Sequence, residues 1–520
     1  MPTPAGLRPA TVPGSCLDAL ADVAPDLDLA SGSGAQRVHG VTLDSRQVVP
    51  GDLYAALPGS RTHGADFTGD AAAAGAVALL TDAEGLARAG GRLPALVCPD
   101  PRAVLGAVAA QVYGHPARQL LTLGVTGTNG KTTTTYLLDA ALRALGRVTG
   151  MIGTVETRIA DTAFASVRTT PEAPDLHGLL AVMVERAATV CSMEVSSQAL
   201  AQHRVDGVVF DVAGFTSFSQ DHLELHGDMA TYLAAKALLF TPEHSRHGVV
   251  VVDDDGGRAI AERSSVPVTT VSGRRDAGAD WTVVERSPAA ATTAFVLQHR
   301  DGRRLALRCP LPGDFNVLNT ALAAVLLLIA GQREDDVVTG LSRAGGVPGR
   351  METVSAGSAS GPLAVVDYAH TPRAVAAALQ ALRGSSAGGR LVVVLGAGGD
   401  RDPGKRHGMG AAAAANADVV VVTDDNPRSE PPADIRAAVL AGAREAARAS
   451  GAQVVEVADR AAAIRHGVEL AGAGDVLLVA GKGHEQGQEV AGAVLPFDDR
   501  EHLAAALAER SGVSSGGSGR

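Results

Sequence analysis

A chain of 520 residues exceeds the size at which one hydrophobic core keeps growing, so two to four domains of roughly 100 to 200 residues are expected, and the patterning below favours three. Its 46% hydrophobic and 19% charged residues are those of a globular protein, not of a disordered one. The net charge of −11 argues against a nucleic-acid or anionic-membrane partner, and four scattered cysteines (Cys16, Cys98, Cys191, Cys309) without a C-x-x-C pair argue against a zinc site or a disulfide framework. A reduced cytoplasm fits best.

The N-terminus, MPTPAGLRPATVPGSC, lacks the basic-then-apolar order of a signal peptide. The longest apolar run, Ala321 to Ala330, is about half of the roughly 20 residues needed to cross a bilayer. In residues 1–115, GVTLDSRQVVPGDLYAALPG (40–59) alternates apolar runs with turn residues, which reads as a small α/β domain.

A second domain is expected over 116–346, opening with the strand LLTLGV (120–125), the loop GTNGKTT (127–133) and a helix TTTTYLLDAALRAL. A generic G-x-x-x-x-G-K-[ST] loop wants its first glycine where this chain has Val125. Gly127 and Gly130 still let amide N–H groups and the helix N-terminus face a phosphate, Lys131 adds charge, and the Thr132 hydroxyl suits Mg²⁺. Strands at 189–195, 208–216 and 248–255, with helices between, predict a mainly parallel sheet, closed by the helix FNVLNTALAAVLLLIAG (315–331). Glu194 ends one of these strands and is either a Mg²⁺ ligand or a plain strand terminus. Asp221, His222, Glu224, His226 and Asp228 crowd together before a helix carrying Lys236, a pattern that could bind metal or cap the helix.

From 347 to 510, strands LAVVDYA, RLVVVLGA, ADVVVVTDD, AQVVEVAD and DVLLVAGKG alternate with alanine-rich helices. Their continuous Val/Leu runs mean burial on both faces, hence a doubly wound, Rossmann-like domain, although G-x-G-x-x-G is missing after its first strand. Residues 511–520, Ser/Gly-rich, read as a disordered tail.

Taken in order, GTNGKTT, MEVSS and DHL…HGD…AAK, followed by DYAHTP (367–372), GGDRDPGKR (398–406), DDNPR (424–428) and GKGHE (481–485), resemble the Mur ligases, ATP-dependent enzymes that extend the peptide of bacterial cell-wall precursors. The resemblance spans about Leu43 to Arg500 and implies a three-domain α/β fold with an N-terminal UDP-binding domain, a central ATPase domain and a C-terminal amino-acid-binding domain. It implies an ATP-dependent carbon–nitrogen ligase that needs Mg²⁺, acts on a UDP-muramoyl-dipeptide through an acyl phosphate, and works as a monomer on small molecules, without membrane or nucleic acid.

Carried over by motif, ATP falls to Gly127, Thr128, Asn129, Gly130, Lys131, Thr132 and Thr133, with Asn319, Arg350, Asp367 and His370 at its base and ribose. Leu43, Ser45, Thr169, Thr170, Ser196, Gln202 and Arg204 line the UDP-muramoyl-peptide. Lys131, Glu194, His222 and Lys236 are catalytic, and Thr132, Glu194, His222 and a carbamylated Lys236 are the metal set.

Arg401, Asp425, Asn426, Pro427, Arg428, Gly481 and Glu485 meet the incoming amine. Arg428 suits a second carboxylate on that amine, so DNPR points to meso-diaminopimelate over lysine. Rivals are the lysine-adding and D-alanyl-D-alanine-adding relatives, folylpolyglutamate synthase, or a non-catalytic nucleotide-binding regulator. Two departures stand out: where the family reads TNLSRDHLD this chain has TSFSQDHLE, placing Ser217 and Gln220, and VVDDDGG lacks the usual asparagine.

Overall fold

Uninterrupted β-branched runs form strands that must be covered on both faces, and this rule organises most of the chain. The computed structural model describes residues 7–221, 223–275, 277–289, 292–355, 361–383 and 388–512. Two compact units result: Met1–Thr282 with Leu322–Arg343, and Val283–Ala321 with Ala344–Arg520. Strand Trp281–Pro288 and helix Asp314–Ile329 carry the chain between them.

The first unit holds two larger sheets and a two-stranded antiparallel one, Ser15–Cys16 with Arg37–Val38. Near the N-terminus the strand order is Asp28–Ser31, Ala95–Val97, Ala78–Thr81, Asp52–Ala55, Gly40–Thr42, parallel except at the first edge. Helix Pro101–Val112 starts from Asp100, whose carboxylate accepts from the Arg102 and Ala103 amides, with proline at the first helical position. It packs on helix Ala173–Glu185, so Val108, Tyr113 and Ala173 share one core.

The larger sheet begins with the order Thr162–Ala165, Glu156–Ile159, Thr149–Ile152, Val190–Glu194, Leu121–Thr126, Val212–Phe215, Gly248–Val251, Val268–Ser272, and Trp281 and Thr282 pair onward from the last of these eight strands. The last six of the eight run parallel, as the sequence predicts, and the hairpin Glu156–Ala165 adds two antiparallel ones. That hairpin and the antiparallel pair Thr293–His299 and Arg304–Cys309 in the second unit were not expected.

In the second unit the order is Glu352–Val354, Leu363–Asp367, Val476–Ala480, Leu391–Leu395, Val419–Val422, Gln453–Glu456, parallel except at the first edge. The five expected strands are all present. Helices Pro372–Arg383, Lys405–Asn416 and Pro432–Ser450 cover one face, and Arg460–Leu470 with Asp499–Ser511 cover the other, giving the doubly wound form. Of the expected tail, residues 513–520 lie outside the described residues. No described helix is long and apolar enough to cross a membrane.

One buried ion pair ties the two helices of the second face together. Arg460 donates from Nε and Nη2 to the two Asp499 oxygens, each at 2.7 Å, with both side chains fully buried. Asp499→Ala strands the guanidinium and should cost about 3 to 5 kcal/mol. The check is chemical denaturation of the full chain: the transition of this unit moves to lower denaturant, and an unmoved transition contradicts the assignment.

Candidate active site

Strand Leu121–Thr126 lies between Val190–Glu194 and Val212–Phe215, with Glu194 level with Val125 and Phe215 with Thr126. The loop after the central strand is therefore flanked by two strand ends. At Gly127, φ is +139° and an added Cβ would lie 1.9 Å from the Thr216 hydroxyl, so only glycine fits. Gly130, at φ +97°, starts the helix Lys131–Ala144. The Gly127 carbonyl accepts from both Lys131 Nζ and Lys236 Nζ, each at 2.9 Å. Two lysine side chains thus converge on one carbonyl of the loop.

Lys236 is fully buried over the Tyr232 ring, 4.4 Å from its centroid. Burial, then Lys131, holds its pKa well below the ordinary lysine value. Asp228 caps the helix Met229–Ala237 through the Thr231 amide, so this member of the acidic cluster does capping work. His226 meets the Ser197 hydroxyl at 3.0 Å. His222 lies outside the described residues.

Ser217, one of the two departures, acquires a physical account. Its carbonyl accepts from the Thr128 amide at 2.7 Å, and its hydroxyl donates to the Asn129 carbonyl at 3.1 Å. A serine thus buttresses the phosphate loop directly. Nothing in the structure explains Gln220.

Glu194 is 1% exposed. Its Oε2 accepts from the Thr132 and Thr154 hydroxyls, both at 3.0 Å, and its Oε1 from the Thr154 amide at 2.7 Å. No ion pair to it occurs among the described residues. Because the Thr154 hydroxyl donates to Glu194, the Thr169 hydroxyl, 3.0 Å away, must donate to Thr154. Thr170 donates to the Glu194 carbonyl at 2.9 Å and accepts from the Ser196 amide. The phosphate loop, Glu194 and the pair Thr169–Thr170 form one hydrogen-bonded patch. No motif marks Thr154; it sits just after a strand that the sequence pattern does not reveal.

Beside this patch lies an arginine cluster. Arg204, largely buried, pairs with Glu172 at 3.0 Å and donates to the Gln202 amide oxygen at 2.6 Å. Arg102 and Arg168 reach the same Glu172 carboxylate at 3.1 and 3.7 Å. Three guanidiniums thus share the Glu172 carboxylate, with Asp175 near Glu172 and Arg168. Leu43 and Ser45 are half-buried at the end of strand Gly40–Thr42, where Asp44 caps a short turn through the Arg46 amide.

The second unit gathers its motifs at the carboxyl ends of four adjacent parallel strands, where open α/β sheets bind ligands. Asp367, the last residue of strand Leu363–Asp367, accepts from the Met351 amide at 2.7 Å. The Arg350 guanidinium lies 4.4 Å over the Tyr368 ring, which also meets His370 and His484. Burial, then Arg350, pushes His484 down to about 3, so it is neutral at physiological pH. Asn319, buried, donates to Asn316 at 3.2 Å.

After strand Val419–Val422, Asn426 donates to Glu485 at 2.8 Å and accepts from Lys482 at 2.8 Å. Lys482, fully buried, also pairs with Asp425 and Glu485 at 3.4 and 3.3 Å. Gly481 donates its amide to the Asp367 carbonyl, while Pro427 approaches Gly399 and Arg401 is exposed. Arg428 donates from Nε to Glu489 at 3.0 Å and from Nη1 to the Gly399 carbonyl at 2.7 Å. The roles of Lys482 and Glu489 are not evident from the sequence, since each is read only through its partners.

Comparison with known proteins agrees with this architecture. Residues 37–113 match the model described as Mur ligase family, catalytic domain; 125–327 match the Mur ligase middle domain; and 349–483 match Mur ligase, glutamate ligase domain. The chain is 51% identical, over 95% of its length and 97% of the relative, to the UDP-N-acetylmuramoyl-L-alanyl-D-glutamate–2,6-diaminopimelate ligase of Streptomyces coelicolor. It is 47% identical, over 98% of its length and 99% of the relative, to a UDP-N-acetylmuramyl-tripeptide synthetase of Leifsonia xyli, whose name leaves the added amino acid open. Among solved structures, a UDP-N-acetylmuramoyl-L-alanyl-D-glutamate–2,6-diaminopimelate ligase is similar with a TM-score of 0.68 and 31% identity, covering 96% of this chain and 99% of that one. With relatives of this identity along almost its whole length, the chain belongs to the Mur ligase family.

Proposed function

We propose that this chain uses ATP to join the γ-carboxylate of D-glutamate in UDP-N-acetylmuramoyl-L-alanyl-D-glutamate to an amino group of meso-diaminopimelate, a step of peptidoglycan precursor synthesis. The observation that carries the reading is the patch in which Glu194 bonds both Thr132 of the phosphate loop and Thr154, itself bonded to Thr169. It sets a phosphate site against a site rich in arginine, suited to an anionic peptide.

In the reaction, a carboxylate oxygen attacks the γ-phosphorus of ATP, the bond to ADP breaks, and an acyl phosphate forms. The amine then attacks the acyl carbon, the C–O bond to phosphate breaks, and the amine proton is released. Two anions meet in the first step. Loop residues Gly127, Thr128, Asn129, Gly130 and Thr133, with Lys131, supply amide donors and positive charge where the phosphoryl oxygens sit. Arg350, Asp367, His370 and Asn319 are proposed to hold the base and ribose. Leu43, Ser45, Thr169, Thr170, Ser196, Gln202 and Arg204 are proposed to hold the UDP-muramoyl-dipeptide.

The donor set fits Mg²⁺. A hydroxyl and a buried carboxylate without a cationic partner among the described residues are hard oxygen ligands. Thr132 and Glu194 would hold it, with His222 and a carbamylated Lys236 at a second position; bound there, it would neutralise phosphate charge. The lowered pKa of Lys236 supports carbamylation, which requires a neutral amine. The chain is proposed to act in the cytoplasm as a monomer, with domains at 1–115, 116–346 and 347–510.

For the amine, Arg428 and Asn426 supply a cationic fork and amide beside the acidic Glu485. A ligand with a carboxylate and a distal ammonium fits that pairing, so Arg401, Asp425, Pro427 and Gly481 are proposed to complete this site. Phosphate release with the UDP-muramoyl-dipeptide and a panel of amines tests it. Turnover with meso-diaminopimelate is expected, and turnover with lysine or D-alanyl-D-alanine alone contradicts the reading. Arg428→Ala should cost about 2 kcal/mol, roughly thirtyfold in kcat/KM for diaminopimelate, with the KM for ATP little changed.

The Glu194 patch makes a separate prediction. Thr154→Val removes a hydroxyl from Glu194 and from Thr169, and should lower kcat about tenfold while raising the Mg²⁺ needed for half-maximal rate. Thr154→Ser, which keeps the hydroxyl, should stay close to the parent. Loss in Thr154→Ser with Thr154→Val close to the parent would show that the methyl packing, not the hydrogen bond, matters.

A further inference from the structure

The two-stranded hairpin Gly487–Val490 and Ala493–Pro496 carries no catalytic motif, yet it grips nearly every residue of the segment 425–428. Gln488 donates its amide to the Asp425 carbonyl at 2.7 Å, and the Glu489 amide donates to Asn426 Oδ1 at 3.0 Å. The Arg428 amide donates to the Glu489 carbonyl at 2.9 Å, and Ala491 returns a bond to the Arg428 carbonyl at 2.8 Å. These bonds hold Arg428 at φ +53°, a left-handed conformation that a non-glycine residue adopts only where its surroundings fix it.

The Glu489 side chain then completes the grip, accepting from Arg428 Nε at 3.0 Å. An arginine has five N–H donors. Glu489 takes the one on Nε and the Gly399 carbonyl takes one on Nη1, leaving the second donor on Nη1 and both on Nη2. A carboxylate that binds the side edge of a guanidinium in this way fixes its plane and directs the remaining fork.

We infer that Glu489 is a positioning residue for amino-acid selection: it orients Arg428 so that its terminal nitrogens receive a carboxylate of the incoming amino acid. The inference rests on the reading of Arg428 as the contact to diaminopimelate. An ordinary ion pair at a surface this open would contribute little. Here, however, the residue whose carboxylate holds the guanidinium also holds the backbone of Arg428 and the amide of Asn426. One residue sets both side chains that would read the amino acid.

Steady-state kinetics on the full chain tests this. Glu489→Ala should raise the KM for meso-diaminopimelate about tenfold, while kcat and the KM for ATP stay within about twofold. Glu489→Gln, which keeps an oxygen able to accept from Nε, should recover most of the loss. In an Arg428→Ala background, Glu489→Ala should add nothing further. A KM for diaminopimelate that is unchanged or lower in Glu489→Ala overturns the inference, the lower value meaning that the carboxylate competes with substrate. A parallel rise in the KM for ATP overturns it too, by reducing Glu489 to a structural part. If Arg428→Ala itself leaves the diaminopimelate KM unchanged, the reading of Arg428 falls and the inference with it; an effect of Arg428 without one of Glu489 sinks the inference alone.

Discussion

A carboxylate buried without a cationic partner is among the more costly things a protein can hold, and the first unit is arranged around one. Glu194 survives there because hydroxyls from two segments and an amide from one of them are aimed at its oxygens. Those segments are the phosphate-loop helix and the turn after strand Thr149–Ile152. Through Thr154 the hydrogen-bonded network continues from the carboxylate to Thr169. The same three hydrogen bonds satisfy its oxygens with neutral donors and bring no cationic group to them. Gly153 belongs to this arrangement, since an added Cβ would lie 2.6 Å from Glu194 Oε1.

In the second unit the corresponding constraint is topological. Parallel strands that share a sheet end at the same edge, so loops separated by more than a hundred residues in sequence meet there. Asp367 ends one strand, and Arg401, Asn426 and Gly481 follow its neighbours in the sheet. Arg428 sits in a left-handed turn whose amide and carbonyl are both hydrogen-bonded to the hairpin beside it. Lys482, fully buried, performs the matching task from below by fixing the Asn426 amide and balancing Asp425 and Glu485.

Much of this was legible before any coordinates. The five buried strands of the third domain are unbroken Val/Leu runs, and the phosphate loop declares itself by glycine, lysine and threonine between a strand and a helix. What escaped is instructive. Strand Thr149–Ile152 reads TGMI, and hairpin strands Glu156–Ile159 and Thr162–Ala165 are four residues each, too short and too mixed to show a period. Thr154, at their junction, was hidden for that reason. Hairpin Gly487–Pro496 is exposed, Val494 by 71%, so no burial pattern marks it and Glu489 looked like any surface acid. Ser217 read as a departure from its family because a motif records which residue is usual, not that a serine hydroxyl reaches the Asn129 carbonyl of the loop.

The central claim is that ATP activates a substrate carboxylate as an acyl phosphate before the amine arrives. Its most direct test uses UDP-muramoyl-dipeptide carrying ¹⁸O in the D-glutamyl γ-carboxylate, with ATP, Mg²⁺ and meso-diaminopimelate. If the carboxylate oxygen attacks phosphorus, the released inorganic phosphate carries one ¹⁸O from the substrate, as mass spectrometry would read. Phosphate free of label, with amide product formed at the normal rate, would contradict the account.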